Sequence, residues 1–327
     1  MKNSLNPVLS VCIPTYDRPD KISELLKRLS VLQNIDSVEV IIIDNASEKT
    51  VSEIYSELDI VIPNITILRN NINIGMNANI LRCIEYAKTS WVWLLSDDDI
   101  PLEDSLNTIL CDISVPENQD TGIIKYSSEL GSVLDNVRYS ELDKFFIFVT
   151  DNNLFSNLLF MSTCVINKKK YEKYYSRALE MSFNCFSQLY PLFYLLYERK
   201  GDILFSSCFV CHWGIPNKKT HWFYGSVYMN ILTGFSLIPF FSKRKLRIIM
   251  KRWLGFRFRS IFKIVFLMKM KGLNSNEIYY AFKKYLSFFF PSFFYNLLYP
   301  ICFFLCFMIL SFPIESVPLI RKTLENS

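Results

Sequence analysis

Acidic residues all but vanish from the C-terminal part of this 327-residue chain, with none between Asp202 and Glu277. Residues 1–202 carry 19 lysines and arginines against 28 acidic residues, a net of −9, whereas residues 203–327 carry 17 against 3, a net of +14. A split of that kind excludes one uniform surface and directs the basic part toward phosphates or an anionic membrane. An apolar h-region is also missing from residues 1–7, which counts against a secretory leader there and predicts a cytoplasmic location. The nine cysteines are scattered, several within apolar runs where a thiol acts as a small hydrophobe, and this reads as a reducing compartment. Cys208, Cys211 and His212 spell C-x-x-C-H. Attachment of a c-type haem belongs to exported chains, and no second ligand pair stands at zinc spacing.

What is present from residue 8 onward is an alternation of short β-rich apolar runs with amphipathic stretches, the pattern of a mostly parallel sheet flanked by helices. Strands are predicted over 8–13, 38–43, 65–68, 91–95 and 123–126, with a further candidate over 145–149. Ile22, Leu25, Leu26 and Leu29 fall at helical spacing through residue 31, and further helices are predicted over 80–88 and 185–198. The 44–47 turn reads as the cap of the helix after it. Charge places the functional boundary near 202, dividing 1–202 from 203–327.

Open α/β sheets bind ligands at the carboxyl ends of their strands, and the most polar tetrapeptides of this chain stand there. The first strand leads into Thr15, Tyr16, Asp17 and Arg18, the second into Asp44 and Asn45, and the fourth into Ser96, Asp97, Asp98 and Asp99. Three adjacent carboxylates repel one another unless a cation or hydrogen-bond donors meet them. Mg²⁺ or Mn²⁺ suits such oxygen donors and commonly adds substrate phosphates to one or two carboxylates. The alternative is an acidic helix cap, since Pro101 follows.

The segments LSVCIPTYDRPD, VEVIIIDNAS, NNINIGMNAN and WVWLLSDDD resemble, in this order, the motif set of family 2 glycosyltransferases of the GT-A type, especially bacterial enzymes of O-antigen and capsule synthesis. The likeness covers residues 8–110. It implies a GT-A fold and a nucleoside-diphosphate-sugar donor. Pro14, Thr15, Tyr16, Arg18, Asp44, Asn45, Asn79, Asp97 and Asp98 would then line the nucleotide-sugar site, with Asp99 and Asp97 on the metal, and His212 or His221 could complete the metal or diphosphate site. Ser96 stands where relatives often carry the first acid, so the register of the motif is open between Ser96 and Asp97. The resemblance also implies a carboxylate base on a later helix. At Gln188, where it would be sought, there is no acid, and Glu180 and the remoter Asp151 are the candidates.

Within 243–271 there are eleven basic residues and no acidic one. Leu246, Ile249, Met250 and Trp253 fall on one helical face with Arg244, Arg247, Lys251 and Arg252 mostly opposite, as in a basic amphipathic helix on an anionic leaflet. Residues 285–314 contain no charge and are rich in phenylalanine, long enough for a bilayer core but interrupted by Pro291, Pro300 and Pro313. A kinked or re-entrant pair at the interface follows, with Lys283 and Lys284 as flanking charge. The expectation is an inverting, metal-assisted transfer of a sugar to a lipid-linked glycan acceptor at the cytoplasmic face of the membrane, without nucleic acid. The alternatives are a catalytically silent nucleotide-sugar-binding scaffold and a sugar nucleotidyltransferase. The latter would show a Gly-rich loop after the first strand, and PTYDRP is not one.

Overall fold

The computed structural model describes residues 7–184, 186–214 and 234–242. The predicted basic helix over 243–271, the apolar segment 285–314 and His221 lie outside them. The chain divides into two compact units, Met1–His221 and Trp222–Ser327. Among the described residues of the first, ten strands occur in chain order: β1 (Leu9–Thr15), β2 (Glu39–Asp44), β3 (Ile65–Arg69), β4 (Trp91–Leu94), β5 (Ile100–Pro101), β6 (Thr121–Ser127), β7 (Val137–Tyr139), β8 (Cys164–Asn167), β9 (Asp202–Phe209) and β10 (Cys211–His212).

Eight of them form one sheet in the order β3-β2-β1-β4-β8-β6-β9-β7, and β10 pairs with β5 apart from it. Strands β3, β2, β1, β4, β6 and β9 run one way, and β8 and β7 run against their neighbours. The expected mostly parallel α/β sheet is therefore present.

Every residue of β1 and β2 is buried, because successive side chains point to opposite faces and both faces are covered. On one face Leu9, Val11, Ile13, Val40, Ile42 and Trp93 share a core with Ile22, Leu25, Leu26 and Leu29 of the helix Pro19–Leu29. Between them, Cys12 donates through its thiol to the carbonyl of Cys83 in the helix Met76–Tyr86, on the opposite face.

Three expectations are corrected. Residues 145–149 are not a strand but lie in the helix Leu142–Asp151. Its buried residues Leu142, Phe145, Phe146 and Val149 follow helical spacing, which an apolar run of five conceals. The helix after β2, Val51–Ser56, is capped by Thr50 in a capping box with Glu53, and not by the 44–47 turn. The sheet also continues past 202, because β9 inserts between β6 and β7 and belongs to the unit that runs to His221. Charge marks where the sequence changes sign, which is not where the sheet ends.

Candidate active site

The parallel strands deliver their polar residues to one edge. After β4, Asp97 turns toward β1, where its Oδ2 accepts from the Thr15 hydroxyl at 2.7 Å and its Oδ1 from Arg18 Nη1 at 2.8 Å. The same Arg18 nitrogen donates to Asp98 Oδ2 at 2.9 Å, and the Ser96 hydroxyl donates to Asp98 Oδ1 at 2.6 Å. Asp99 turns the other way. Its Oδ2 accepts from the Ser162 hydroxyl, and its Oδ1 accepts from the Gly214 backbone N–H at 3.0 Å.

Asp97 and Asp99 are both buried. Burial pushes the Asp97 carboxyl above its ordinary range, opposed by the Arg18 charge and the Thr15 hydrogen bond. Burial likewise pushes Asp99 up to about 7, against the hydrogen bonds from Gly214 and Ser162 and with Asp98 and Asp97 adding repulsion.

Residues distant in sequence hold this arrangement. Trp93 Nε1 donates to the Ser162 carbonyl at 2.8 Å, and the Ser162 hydroxyl accepts from the Ser96 N–H at 2.9 Å. The fully buried Lys125 on β6 donates through Nζ to the Phe160 carbonyl at 2.5 Å, to the Thr163 hydroxyl and to Cys164 Sγ at 3.2 Å. Burial lowers its pKa, with the neighbouring Cys164 opposing. The turn bearing Ser162 is thus clamped from two strands. Gly214 fits only because it lacks a side chain, as a Cβ there would lie 1.7 Å from the Asp98 carbonyl oxygen.

On the far side of β1, buried Asp44 accepts from Arg69 Nη1 at 2.6 Å and from the Ser47 N–H at 2.8 Å. Asn45 donates to Asn73 Oδ1 at 2.8 Å and accepts from Asn70 Nδ2 at 2.9 Å and the Ile74 N–H at 3.0 Å. Asn79 accepts from Asn70 at 2.9 Å and donates to the Ile43 carbonyl at 3.0 Å. With both amides engaged and buried, Asn45 and Asn79 pin the asparagine-rich loop to the end of β2. Tyr16 is 44% exposed at the end of β1, whereas Pro14 is buried in the strand opposite Ile43.

The structure therefore brings Thr15, Arg18, Asp97 and Asp98 into one hydrogen-bonded group, with Asp99 beside it. The hydrogen bonds of the aspartates involve neither base candidate. Glu180 is exposed and paired with Arg177 at 3.0 Å, and Asp151 is exposed at the end of its helix. The C-x-x-C-H residues diverge, with Cys208 exposed, the Cys211 thiol buried against the Ser162 carbonyl at 3.2 Å, and His212 facing Glu129.

Arg69, Ser162, Gly214 and Glu129 were not legible as site residues. Only Arg69 carried a signal, a cation at the carboxyl end of an apolar strand.

Among the described residues, no three His, Cys, Asp or Glu side chains are grouped to hold a metal ion. The donor set nevertheless suits Mg²⁺ or Mn²⁺, since adjacent carboxylates supply hard oxygens and such ions take further ligands from substrate phosphates. One guanidinium nitrogen already bridges Asp97 and Asp98, so a cation stands where the carboxylates call for one.

A mostly parallel sheet whose carboxyl edge gathers carboxylates, a guanidinium and a pinned polar loop defines an α/β protein with its ligand crevice at that edge. The chain belongs to glycosyl transferase family 2, whose profile matches residues 10–174. It is 32% identical over 127 residues to the abequosyltransferase RfbV of Salmonella typhimurium, which covers 35% of this chain and 37% of that protein. An uncharacterized glycosyltransferase of Methanocaldococcus jannaschii is 23% identical over 227 residues, 66% of this chain and 73% of that protein. The chain thus spans about a third of the first curated relatives it matches, 37% and 33% of their lengths. Among solved structures, S. aureus TarS 1-349 superposes with a TM-score of 0.55 at 13% identity, covering 84% of this chain and 87% of that one. The same TarS fragment with UDP-GlcNAc gives 0.53 at 14% identity, with the same coverages. These two share the fold.

Proposed function

We propose that this chain transfers a sugar from a nucleoside-diphosphate donor to a glycan acceptor, with inversion at the anomeric carbon, in the synthesis of a bacterial surface polysaccharide. The observation that carries the reading is the cluster Asp97, Asp98 and Asp99 after β4, in which Asp97 and Asp98 are tied to Thr15 at the end of β1 and to Arg18 in the loop beyond it, in a family 2 chain. Abequosyltransferase as a relative and UDP-GlcNAc in a structural neighbour support the donor class.

In this reading the nucleotide base lies against Tyr16 and the Asp44–Arg69 pair, and the asparagine-pinned loop shapes that side of the crevice. Arg18 turns from the aspartates to the diphosphate. Asp99 and Asp97 would hold Mg²⁺ or Mn²⁺, which would neutralise charge on the departing diphosphate. The acceptor is presented at a membrane, to which the basic stretch 243–271 and the apolar stretch 285–314 attach the chain at its cytoplasmic face. Among the described residues no helix is long and apolar enough to cross a membrane.

The test is a thermal-shift screen of nucleoside diphosphates with and without Mn²⁺. A ligand of the folded state at 100 times its Kd stabilises by about 2.7 kcal/mol. One nucleotide should raise the melting temperature only with the metal, and the sugar donors of that nucleotide should then be turned over. No response to any nucleoside diphosphate would sink the proposal.

A further inference from the structure

Every carboxylate oxygen of the aspartate cluster already accepts a hydrogen bond. Asp97 accepts from Thr15 and Arg18, Asp98 from Ser96 and Arg18, and Asp99 from Ser162 and the Gly214 N–H. Four of the six bonds come from neutral groups, and the other two come from a single nitrogen, Arg18 Nη1, at 2.8 and 2.9 Å. Among the described residues Arg18 is the only cation ion-paired with the cluster.

The donors differ in how they are held. Thr15 closes β1, Ser96 is fixed to Ser162 through its N–H, and Gly214 donates from its backbone. Arg18 alone reaches across on a long side chain, 33% exposed, from the residue before the helix Pro19–Leu29. Rotation about its side-chain bonds withdraws it, and no backbone has to move. A cavity of about 160 Å³ lined by Lys21, Glu24, Asp97, Asp98, Asp99 and Gly214 gives a small ion room at the cluster. A divalent ion that comes alone, however, meets carboxylate oxygens already taken and a positive charge held between two of them, and like charges at such distances repel. A diphosphate changes both conditions, because a guanidinium pairs with phosphate oxygens as readily as with carboxylates. The withdrawal of Arg18 frees Asp97 Oδ1 and Asp98 Oδ2 just as phosphate oxygens arrive to complete a metal's shell.

We infer that Arg18 is a latch that ties metal binding to diphosphate binding: its guanidinium serves Asp97 and Asp98 as a resident counter-cation and yields them to Mg²⁺ or Mn²⁺ only when a nucleoside diphosphate takes it. The inference rests on the transferase reading above, in which Asp99 and Asp97 hold the metal. Arg18 thereby suppresses the affinity for metal alone and leaves the affinity in the presence of the diphosphate intact, and the ratio of the two is the coupling. That coupling is reciprocal, so the metal strengthens diphosphate binding by the same factor. When the nucleoside diphosphate departs, Arg18 falls back on the aspartates and the ion leaves with the product.

The experiment uses the full chain and counts bound Mn²⁺ by the loss of the free-ion electron paramagnetic resonance signal, a readout that needs no turnover. The unaltered chain should take up Mn²⁺ weakly on its own and about 5- to 150-fold more tightly with a nucleoside diphosphate, whereas the same nucleoside without phosphates should change nothing. Arg18→Gln, which removes the charge and keeps a hydrogen-bond donor, should bind Mn²⁺ alone about tenfold more tightly and show a correspondingly smaller enhancement by the nucleotide. Arg18→Lys keeps the charge and should bind Mn²⁺ alone as weakly as the unaltered chain. Thr15→Val removes a neutral donor from the same Asp97 and should not raise that affinity. An unaltered chain that binds Mn²⁺ as tightly alone as with nucleotide overturns the latch without any variant. So does Arg18→Gln with unchanged Mn²⁺ affinity, or Arg18→Lys binding as tightly as Arg18→Gln, and each of these leaves the transferase reading standing. No binding of any nucleoside diphosphate, with or without Mn²⁺, sinks both.

Discussion

At the residue scale the site is held in tension between folding and function. Asp99 is shielded enough that its pKa rises from 3.8 to about 7. A raised folded-state pKa means that stability is fully present below the unfolded value and is lost as pH climbs from about 4 through 7, because the buried charge must then be carried. Asparagine keeps an acceptor for Gly214 and offers a donor to Ser162. Asp99→Asn should therefore melt higher than the unaltered apo chain at pH 8 and show little difference at pH 4, while losing Mn²⁺-dependent nucleotide binding. Equal melting at both pH values would show that Asp99 is not strained, and retained binding would remove it from the metal site.

Gly214→Ala tests the same contact from the opposite side. With 1.7 Å between the added Cβ and the Asp98 carbonyl, the 98–99 backbone or the 214 strap must move. Metal-dependent binding should fall by at least tenfold, and full binding would mean that the strap does not set the cluster. Asp44→Ala should weaken donors of every sugar carried on one nucleotide alike, as measured by competition with the bare nucleoside diphosphate. Loss of a single sugar would contradict its place on the base.

At the element scale, the elements that could be read in advance were those with a local pattern. β1 to β4 are apolar runs that each end in polar residues, and the helix Pro19–Leu29 shows its buried stripe plainly. β7 and β8 were not read because three and four residues carry too little periodicity. The same limit hid half of the site. Thr15, Arg18 and the aspartates announce themselves after strands, but Ser162 and Gly214 are ordinary residues that matter only because β8 and β10 bring them to Asp99.

Lys125 is the clearest case of an element holding another. It touches no aspartate, yet its amine ties β6 to the turn that carries Ser162. Lys125→Met should cost about 1.5–3 kcal/mol through the loss of hydrogen bonds from a charged donor. It should also weaken Mn²⁺-dependent nucleotide binding in the fraction that remains folded. A drop in stability with unchanged binding would show that the turn keeps its place without the amine.

At the scale of the whole molecule, the charge asymmetry and the apolar stretch make separable demands on a membrane. Salt shortens the Debye length from about 10 Å at 0.1 M to about 3 Å at 1 M, which weakens charge attraction and leaves apolar burial intact. The full chain should stay with membranes in 1 M salt. A chain ending at 271 should bind anionic vesicles in low salt and leave them in high salt, and one ending at 221 should not bind. Flotation of each chain with vesicles gives the answer, and a full chain that stays in the aqueous fraction without detergent would remove the membrane from the proposal.

The insertion of β9 between β6 and β7 also has a consequence in time. During synthesis β6 emerges first, and its outer edge stays unpaired until the ribosome has added the chain through Phe209. At about 5–20 residues per second that interval is roughly 4–16 s. For those seconds the nascent sheet offers β6 as an open edge on which a strand from a neighbouring chain could pair. β7, made soon after β6, has no place of its own until β9 arrives. Slow translation between codons 128 and 209 should therefore lower the yield of soluble protein more than the same delay after 209.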